Sequence, residues 1–379
     1  MRILFISRSN PKEISYGGQQ RMHVLWNALS AAGYVTTIVP VPHCKLQYHD
    51  KENNIYGCCL ERRYSFPWLL KRLLAKVFPQ FPVSWGSKML LPKGIDSRFD
   101  VVVVSTLQLY TRYKLTKLGP LVIDVDDTPS VDYSLAHPKN HIRHALLCMW
   151  QAKVSRQAQL LWVPDANQKK DFDHQFIEVL PNIPLVDGPV IKHYKHKSDE
   201  FVLVFLGYLA HKPNQVALDW FLKNFWNGLK AKFPDLQLKI GGKGLPERKC
   251  NNWRSFAGVS VLGFVEDVHA FYDEGTAFIA PMQTGSGTCI KVLEALAYGL
   301  PVIATAQGFR GIDPQDRTTE NALLEFEDLA GLMKILELVQ NADCDWGLRG
   351  QRYVREHYTQ DVFNKIVYDG LHACIKAHE

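Results

Sequence analysis

A chain of 379 residues, 46% hydrophobic and 22% charged, is too long for one ordinary core and too apolar to be disordered, so two globular domains of comparable size are expected. No apolar run approaches the roughly 18 to 20 residues that span a bilayer. The opening Met1–Ser7 reads as a buried strand and not an export signal, which points to the cytoplasm. A net charge of +6 is modest, none of the eight cysteines forms a CxxC pair, and His174, His193, His196, His211 and His269 do not stand at a metal-ligand spacing such as HExxH, so structural-zinc and nucleic-acid classes lack support.

In chain order, Ile3–Ile6 is the first predicted strand. Gln20–Ala32 follows as a helix with Met22, Leu25, Trp26 and Leu29 at helical spacing. Further strands are predicted at Val35–Val39, Val101–Val104, Leu121–Val125, Leu160–Val163 and Ile177–Leu180. Strands so uniformly apolar belong in a parallel sheet covered on both faces. Between them, residues 62–93 carry Arg62, Arg63, Lys71, Arg72, Lys76, Lys88 and Lys93 among aromatic and aliphatic residues, with no acid. That composition fits an anionic membrane surface better than solvated helices. Nucleic acid is not expected, because no binding motif accompanies the charge.

Pro181, Pro184, Gly188, Pro189 and a polar run then break the alternation. This places a first domain at 1–185, a linker at 186–200 and a second domain at 201–360. The second half restarts with a strand at Phe201–Phe205 and a helix at Asn214–Lys230, then strands at Leu236–Ile240, Val259–Leu262 and Ala277–Ala280. A helix at Ile290–Tyr298 and a strand at Pro301–Ala304 precede three terminal helices, Asp328–Val339, Trp346–His357 and Asp361–Ala377. The expected class is α/β: two Rossmann-like, doubly wound domains facing across a cleft.

Ligands of open α/β sheets bind beyond the carboxyl ends of the strands, where loops feed helix N-termini. The stretch Pro281–Thr305 is a strand end, a glycine-bearing loop, a helix and a strand. Gly285 and Gly287 let the backbone approach a ligand, and the helix start offers unpaired N–H groups to a phosphate. Lys291 adds a charge suited to a pyrophosphate. Glu294, three residues on, shares its face and can accept both hydroxyls of a ribose. The competing reading is a buried helix with a solvent-facing Glu, since a glycine-rich loop alone is weak evidence.

The chain resembles the retaining GT-B glycosyltransferases of family 4 from residue 1 to about 360. The resemblance is carried by Leu293–Thr305 (LEALAYGLPVIAT), Gly263–Tyr272 (GFVEDVHAFY), Phe205–Phe221, Leu238–Gly244 (LKIGGKG) and Ile14–Arg21 (ISYGGQQR). It implies a nucleotide-sugar donor, UDP- or GDP-linked, and a glycan or lipid-linked acceptor in cell-surface polysaccharide assembly, with no cofactor and no metal. Donor-binding roles fall by position on Gly17, Gly18, Asn214, Phe264, Val265, Gly285, Ser286, Gly287, Thr288 and Glu294. Catalytic roles fall on Lys212, Lys291 and Asp126, and acceptor-side roles on Arg21 and Asp127. The C-terminal helix 361–377 is expected to pack back on the first domain.

Three departures from the family pattern stand out. Ser286 occupies the place of the first Glu of the family's Glu-x7-Glu motif, whose second Glu is Glu294. The usual pyrophosphate-neutralising Arg and Lys would fall near Tyr208 and Pro213, leaving Lys212 and Lys291 as substitutes. The family's first-domain His has no match, and Asp126 stands at the corresponding strand end.

Alternatives remain. Asp124-Val125-Asp126 has the spacing of a cation site, although an acceptor-facing or structural role is preferred. A catalytically silent sugar-nucleotide binder and a GT-B sugar-nucleotide epimerase also fit the class. A nicotinamide dehydrogenase does not, because Gly17-Gly18 trails the first strand by about ten residues with no third glycine.

Overall fold

The computed structural model of the chain describes residues 1–14, 17–41, 48–59, 98–109, 115, 118–126, 128–131, 140–186, 201–285, 287–341 and 345–378. The basic stretch 62–93, all but the first residue of the 186–200 linker, Asp127 and Ser286 lie outside the described residues. Two compact units are present: Met1–Pro181 together with Gln360–Glu379, and Asn182–Thr359. The fold class is α/β, each unit built on a mainly parallel sheet.

In the first unit the strands are β1 (Arg2–Ile6), β2 (Tyr34–Val41), β3 (Tyr48–Asp50), β4 (Ile55–Cys59), β5 (Val101–Ser105), β6 (Leu121–Asp124), β7 (Leu160–Val163) and β8 (Ile177–Val179). Their order is β3-β4-β2-β1-β5-β6-β7-β8, parallel throughout except for the β3–β4 pair. β5, β6 and β7 are buried along their whole length, as continuous apolar runs require when helices cover both faces. β3 and β4 escape the apolar-run criterion because they form a short edge hairpin. Its turn uses Asn54 at φ 53, whose carboxamide donates to the Val35 carbonyl at 3.0 Å.

Helix Gly17–Ala32 buries Met22, Val24, Leu25, Ala28 and Leu29. The C-terminal helix Gln360–Lys376 packs against it, with Gln360 donating to the Val24 carbonyl at 3.2 Å. Gly370 lets that helix approach the sheet: a Cβ there would sit 2.7 Å from the Glu178 carboxylate and 3.0 Å from Leu160.

The second unit contains β9 (Val202–Leu206), β10 (Gln237–Gly241), β11 (Val259–Gly263), β12 (Ala277–Ala280), β13 (Val302–Ala304) and β14 (Leu323–Glu325). All pair in parallel in the order β11-β10-β9-β12-β13-β14. Successive strands therefore run outward one way from β9 and the other way from β12, and the order reverses between those two. Helix Lys212–Phe221 continues through a π turn, Leu222–Trp226, into Asn227–Lys232, so the single helix predicted at 214–230 is present with one wide turn inside it.

Helix Ile290–Ala297 buries Val292, Leu293, Ala295 and Leu296, worth about 1.5–3 kcal/mol for each large aliphatic side chain. Helix Trp346–His357 braces it from outside. Gly350 passes close to Leu296, and Gln351 donates to the Ala297 carbonyl at 3.1 Å.

Candidate functional site

In the second unit the loops after β9 and β12 flank the reversal point, the place where open α/β sheets bind ligands. The β9–β11 ends are joined through glycines. Gly207 N–H donates to the Gly241 carbonyl at 3.2 Å, and Gly242 N–H to the Gly263 carbonyl at 2.6 Å. Gly242, at φ +138, is irreplaceable on steric grounds, since a Cβ would fall 1.8 Å from the Gly207 oxygen. Around this turn stand two exposed aromatics, Tyr208 (53%) and Phe264 (65%). The Lys243 ammonium lies 5.6 Å from the Phe264 ring centre, and Val265 is half-buried beside Gly241.

The loop after β12 is held by the loop after β13. Thr305 Oγ1 donates to the Met282 carbonyl at 2.6 Å, and the Gln307 carboxamide donates to the Gly285 carbonyl at 2.8 Å. Gly285 has φ +142 and Gly287 φ +65, both in the region that favours glycine. Thr288 is buried against Gly311, where a Cβ would come within 2.7 Å of it. Cys289 N–H donates to the Arg310 carbonyl at 3.3 Å, and helix Ile290–Ala297 begins there with no side-chain cap. Its first N–H groups and the positive end of its dipole therefore face the loop.

Lys291 reaches back across the reversal point. Its Nζ donates to Asn214 Oδ1 at 2.5 Å and lies 4.5 Å from the centre of the Phe205 ring. Removal of the ammonium from water, together with the charge of Arg310, pushes its pKa down to about 8; the Cys289 and Glu294 charges oppose the shift. His211 is likewise held below the ordinary imidazole value, by desolvation and by the charges of Lys291 and Arg310. Glu294 is half-buried on the Lys291 helix, and its charge also reaches Tyr272, whose buried hydroxyl is raised well above the usual phenol range, mainly by desolvation.

The sequence-read donor residues Gly285, Gly287, Thr288, Glu294, Asn214, Phe264 and Val265, together with Lys291, read as catalytic, thus all belong to the strand ends and helix starts of this one sheet edge. Asn214, read as donor-binding, is 4% exposed, and its carboxamide accepts from Lys291 and donates to the Tyr208 carbonyl at 2.8 Å, so it also positions the lysine. Lys212 is the exposed first residue of its helix; the cation that Lys291 and His211 both face is Arg310. Arg310 and Gln307 escaped the sequence reading, the only available signal being their place one strand-turn after LPVIAT.

In the first unit Gly17 and Gly18 open helix Gly17–Ala32. Arg21, read as acceptor-side, is a buried strut at 3% exposure. Its Nε and Nη2 donate to the two Asp124 carboxylate oxygens at 3.0 and 2.5 Å, and the guanidinium also donates to the Leu180 carbonyl at 3.1 Å. Asp126 pairs with Arg8, and Arg21 lies 3.8 Å away. Two arginines thus balance the two aspartates, and Asp124 serves the fold. Nearby, Thr106 N–H donates to the Asp124 carbonyl at 2.8 Å with φ +78, a β-branched residue held in a conformation costing on the order of 1–3 kcal/mol. Among the described residues no group of three or more His, Cys, Asp or Glu comes together as a metal cage.

The family model for glycosyl transferases group 1 matches residues 200–341. A Haemophilus influenzae protein named as an uncharacterized glycosyltransferase is 30% identical over 342 residues, covering 86% of this chain and 88% of that one. A Klebsiella pneumoniae 44.6 kDa protein in a cps region is 22% identical over 338 residues, covering 82% and 84%. Among solved structures, Anabaena HepE in complex with UDP and glucose superposes with a TM-score of 0.62 at 14% identity over 98% of this chain and 100% of that one. The E. coli trehalose-6-phosphate structure bound with UDP-2-fluoro glucose gives 0.64 at 10% identity over 98% and 99%. These likenesses establish the two-domain GT-B fold. By its relative and its matched second domain, the chain belongs to the glycosyl transferases of group 1.

Proposed function

We propose that this glycosyltransferase is a retaining enzyme of the family 4 kind, a hexosyltransferase that moves a sugar from a UDP- or GDP-linked donor to a glycan or lipid-linked acceptor in cell-surface polysaccharide assembly. The observation that carries the reading is the Lys291–Asn214 bond across the β9/β12 reversal point, beside the Gly285–Cys289 loop. It holds an ammonium where a pyrophosphate would meet a helix N-terminus. The UDP and UDP-sugar complexes of the HepE and E. coli structures support a nucleotide-sugar donor.

In this reading the second unit holds the nucleotide and the first meets the acceptor. The sugar C1–phosphate oxygen bond breaks as the acceptor oxygen bonds C1 on the same face, and the departing phosphate takes the acceptor proton. No protein nucleophile is needed. Negative charge grows on the leaving diphosphate, and Lys291, Lys212 and the helix dipole stabilise it where it develops. Glu294 accepts the ribose hydroxyls, and Tyr208 and Phe264 offer faces to the base. Gly17 and Gly18, at the start of a helix of the first unit, are assigned to the donor by the family pattern. Asp126 meets the sugar or acceptor, with Asp127 beside it, and no metal takes part.

The site of action is proposed as the cytoplasm, peripheral to the inner face of the membrane through residues 62–93. Among the described residues no helix is long and apolar enough to cross a membrane.

A thermal-shift screen of nucleotide sugars tests the donor: a ligand at a hundred times its dissociation constant should stabilise by about 2.7 kcal/mol. NMR of the transfer product should then show the donor's anomeric configuration. Inversion, or no stabilisation by any nucleotide sugar, sinks the proposal. Ser286 in the usual Glu position keeps a silent binder as the second reading. Tight donor binding without hydrolysis or transfer would favour it.

A further inference from the structure

We infer that Arg310, on the loop after β13, supplies a further positive charge to the donor diphosphate, from a loop remote from the segment that opens the second unit. The inference rests on the donor site proposed above and adds to it a residue from a different loop.

The guanidinium lies against the bare face of Gly285. A Cβ on that glycine would sit 2.9 Å from Arg310 Cζ, 3.0 Å from Nε and 3.1 Å from Nη2. Only a residue without a side chain lets the arginine lie this close to the strand-end loop. The arginine is also held from its own side. Its Nη1 donates to the Gln307 carbonyl at 3.2 Å, Gln307 in turn donates to the Gly285 carbonyl, and the Arg310 carbonyl accepts from Cys289 at the helix start. Loop and arginine are thus stitched into one unit, so little side-chain entropy remains to be lost on binding an anion.

Electrostatics point the same way. Arg310 faces Lys291 and His211, and each of these groups feels its charge as an opposing one. Two cations brought together beside a helix N-terminus repel one another, and desolvation together with their charge keeps the His211 imidazole neutral. The Glu294 carboxylate opposes that repulsion at Lys291. An anion carrying two or more charges would interact favourably with both cations. A planar five-donor fork beside a point charge suits a diphosphate, whose oxygens spread over two centres. Lys212 stands exposed at the start of its own helix.

The test compares Arg310→Gln and Arg310→Lys with the parent, using UDP and GDP by calorimetry and the matching nucleoside by competition. Arg310→Gln is expected to weaken diphosphate binding by about ten- to hundredfold, the range for a lost charge-assisted hydrogen bond. Nucleoside affinity should stay within about twofold, and the salt dependence of diphosphate binding should flatten. Arg310→Lys should recover most of the loss. Equal losses for diphosphate and nucleoside, or no rescue by Lys alongside a lowered melting temperature, would make Arg310 a strut for the Gly285 loop and overturn the inference. Unchanged diphosphate affinity in Arg310→Gln overturns it as well. If the parent binds neither UDP nor GDP, the donor-site reading itself fails, and the two failures are distinguishable.

Discussion

Asn214 and Lys291 come from helices that follow different strands, yet the asparagine oxygen accepts the lysine proton at 2.5 Å, across the point where the strand order reverses. The same asparagine donates to the Tyr208 carbonyl, so it fixes the ammonium relative to the loop after β9. Asn214→Ala should leave Lys291 charged but wandering. Affinity for UDP and GDP, which carry the charge of the departed leaving group, is expected to fall about tenfold, as for one lost hydrogen bond to a charged group. Asn214→Asp keeps the bond yet neutralises the lysine, and should weaken diphosphate binding at least as much. Calorimetry with UDP and GDP decides; unaltered affinity in both variants would remove Lys291 from the diphosphate site.

The depressed pKa of Lys291, about 8, gives a pH signature. Its folded value lies below the unfolded one near 10.4. Between those values the unfolded state binds more protons, so this group's contribution makes stability rise with pH from about 8 to 10. Burial raises Tyr272, Tyr353, Tyr358 and Cys374, the last to about 11, which acts in the opposite sense. The readout is therefore the difference between parent and Lys291→Met in urea unfolding from pH 7 to 10. Relative to the variant, the parent should gain stability across that interval, while its nucleotide affinity falls as the ammonium deprotonates. A flat difference would place Lys291 at an ordinary pKa.

Glu294 and Lys291 are assigned to different parts of the donor and should fail differently. Glu294→Gln loses the charged acceptor for ribose hydroxyls, costing roughly 1.5–3 kcal/mol of nucleotide binding. The ribose is unchanged during transfer, so the loss should appear in donor KM. Lys291→Ala faces the growing leaving-group charge, and its cost should fall on kcat, on the order of a hundredfold. Steady-state kinetics with melting temperatures test both. A fully active Lys291→Ala would show the helix is wrongly oriented.

Arg21 and Asp124 form a buried two-point pair. Arg21→Met strands a carboxylate in the core and should destabilise the first unit by about 3–5 kcal/mol. The double variant Arg21→Met with Asp124→Leu should recover much of that loss, since no unpaired charge remains. Transfer by the parent should survive excess EDTA. Loss of activity restored by manganese or magnesium would return Asp124 and Asp126 to a ligand role.

What the sequence determined by itself was local. Apolar runs such as Val101–Val104 and Leu160–Val163 announced buried parallel strands, because a strand covered on both faces cannot alternate. Gly285, Gly287, Lys291 and Glu294 were legible because loop, helix start and side-chain face are set within a dozen residues. The edge hairpin β3–β4 and the short β14 lacked that signal, each being brief and partly polar. Only the tertiary structure decided the partners. Lys291 meets Asn214 from 77 positions away and Arg21 meets Asp124 from 103, distances at which no residue pattern specifies a contact. Strand order does: placing β12 beside β9 brings two helix starts together, and placing β13 beside β12 lays Arg310 against Gly285. That order is chosen by the packing of whole faces, which no single segment encodes.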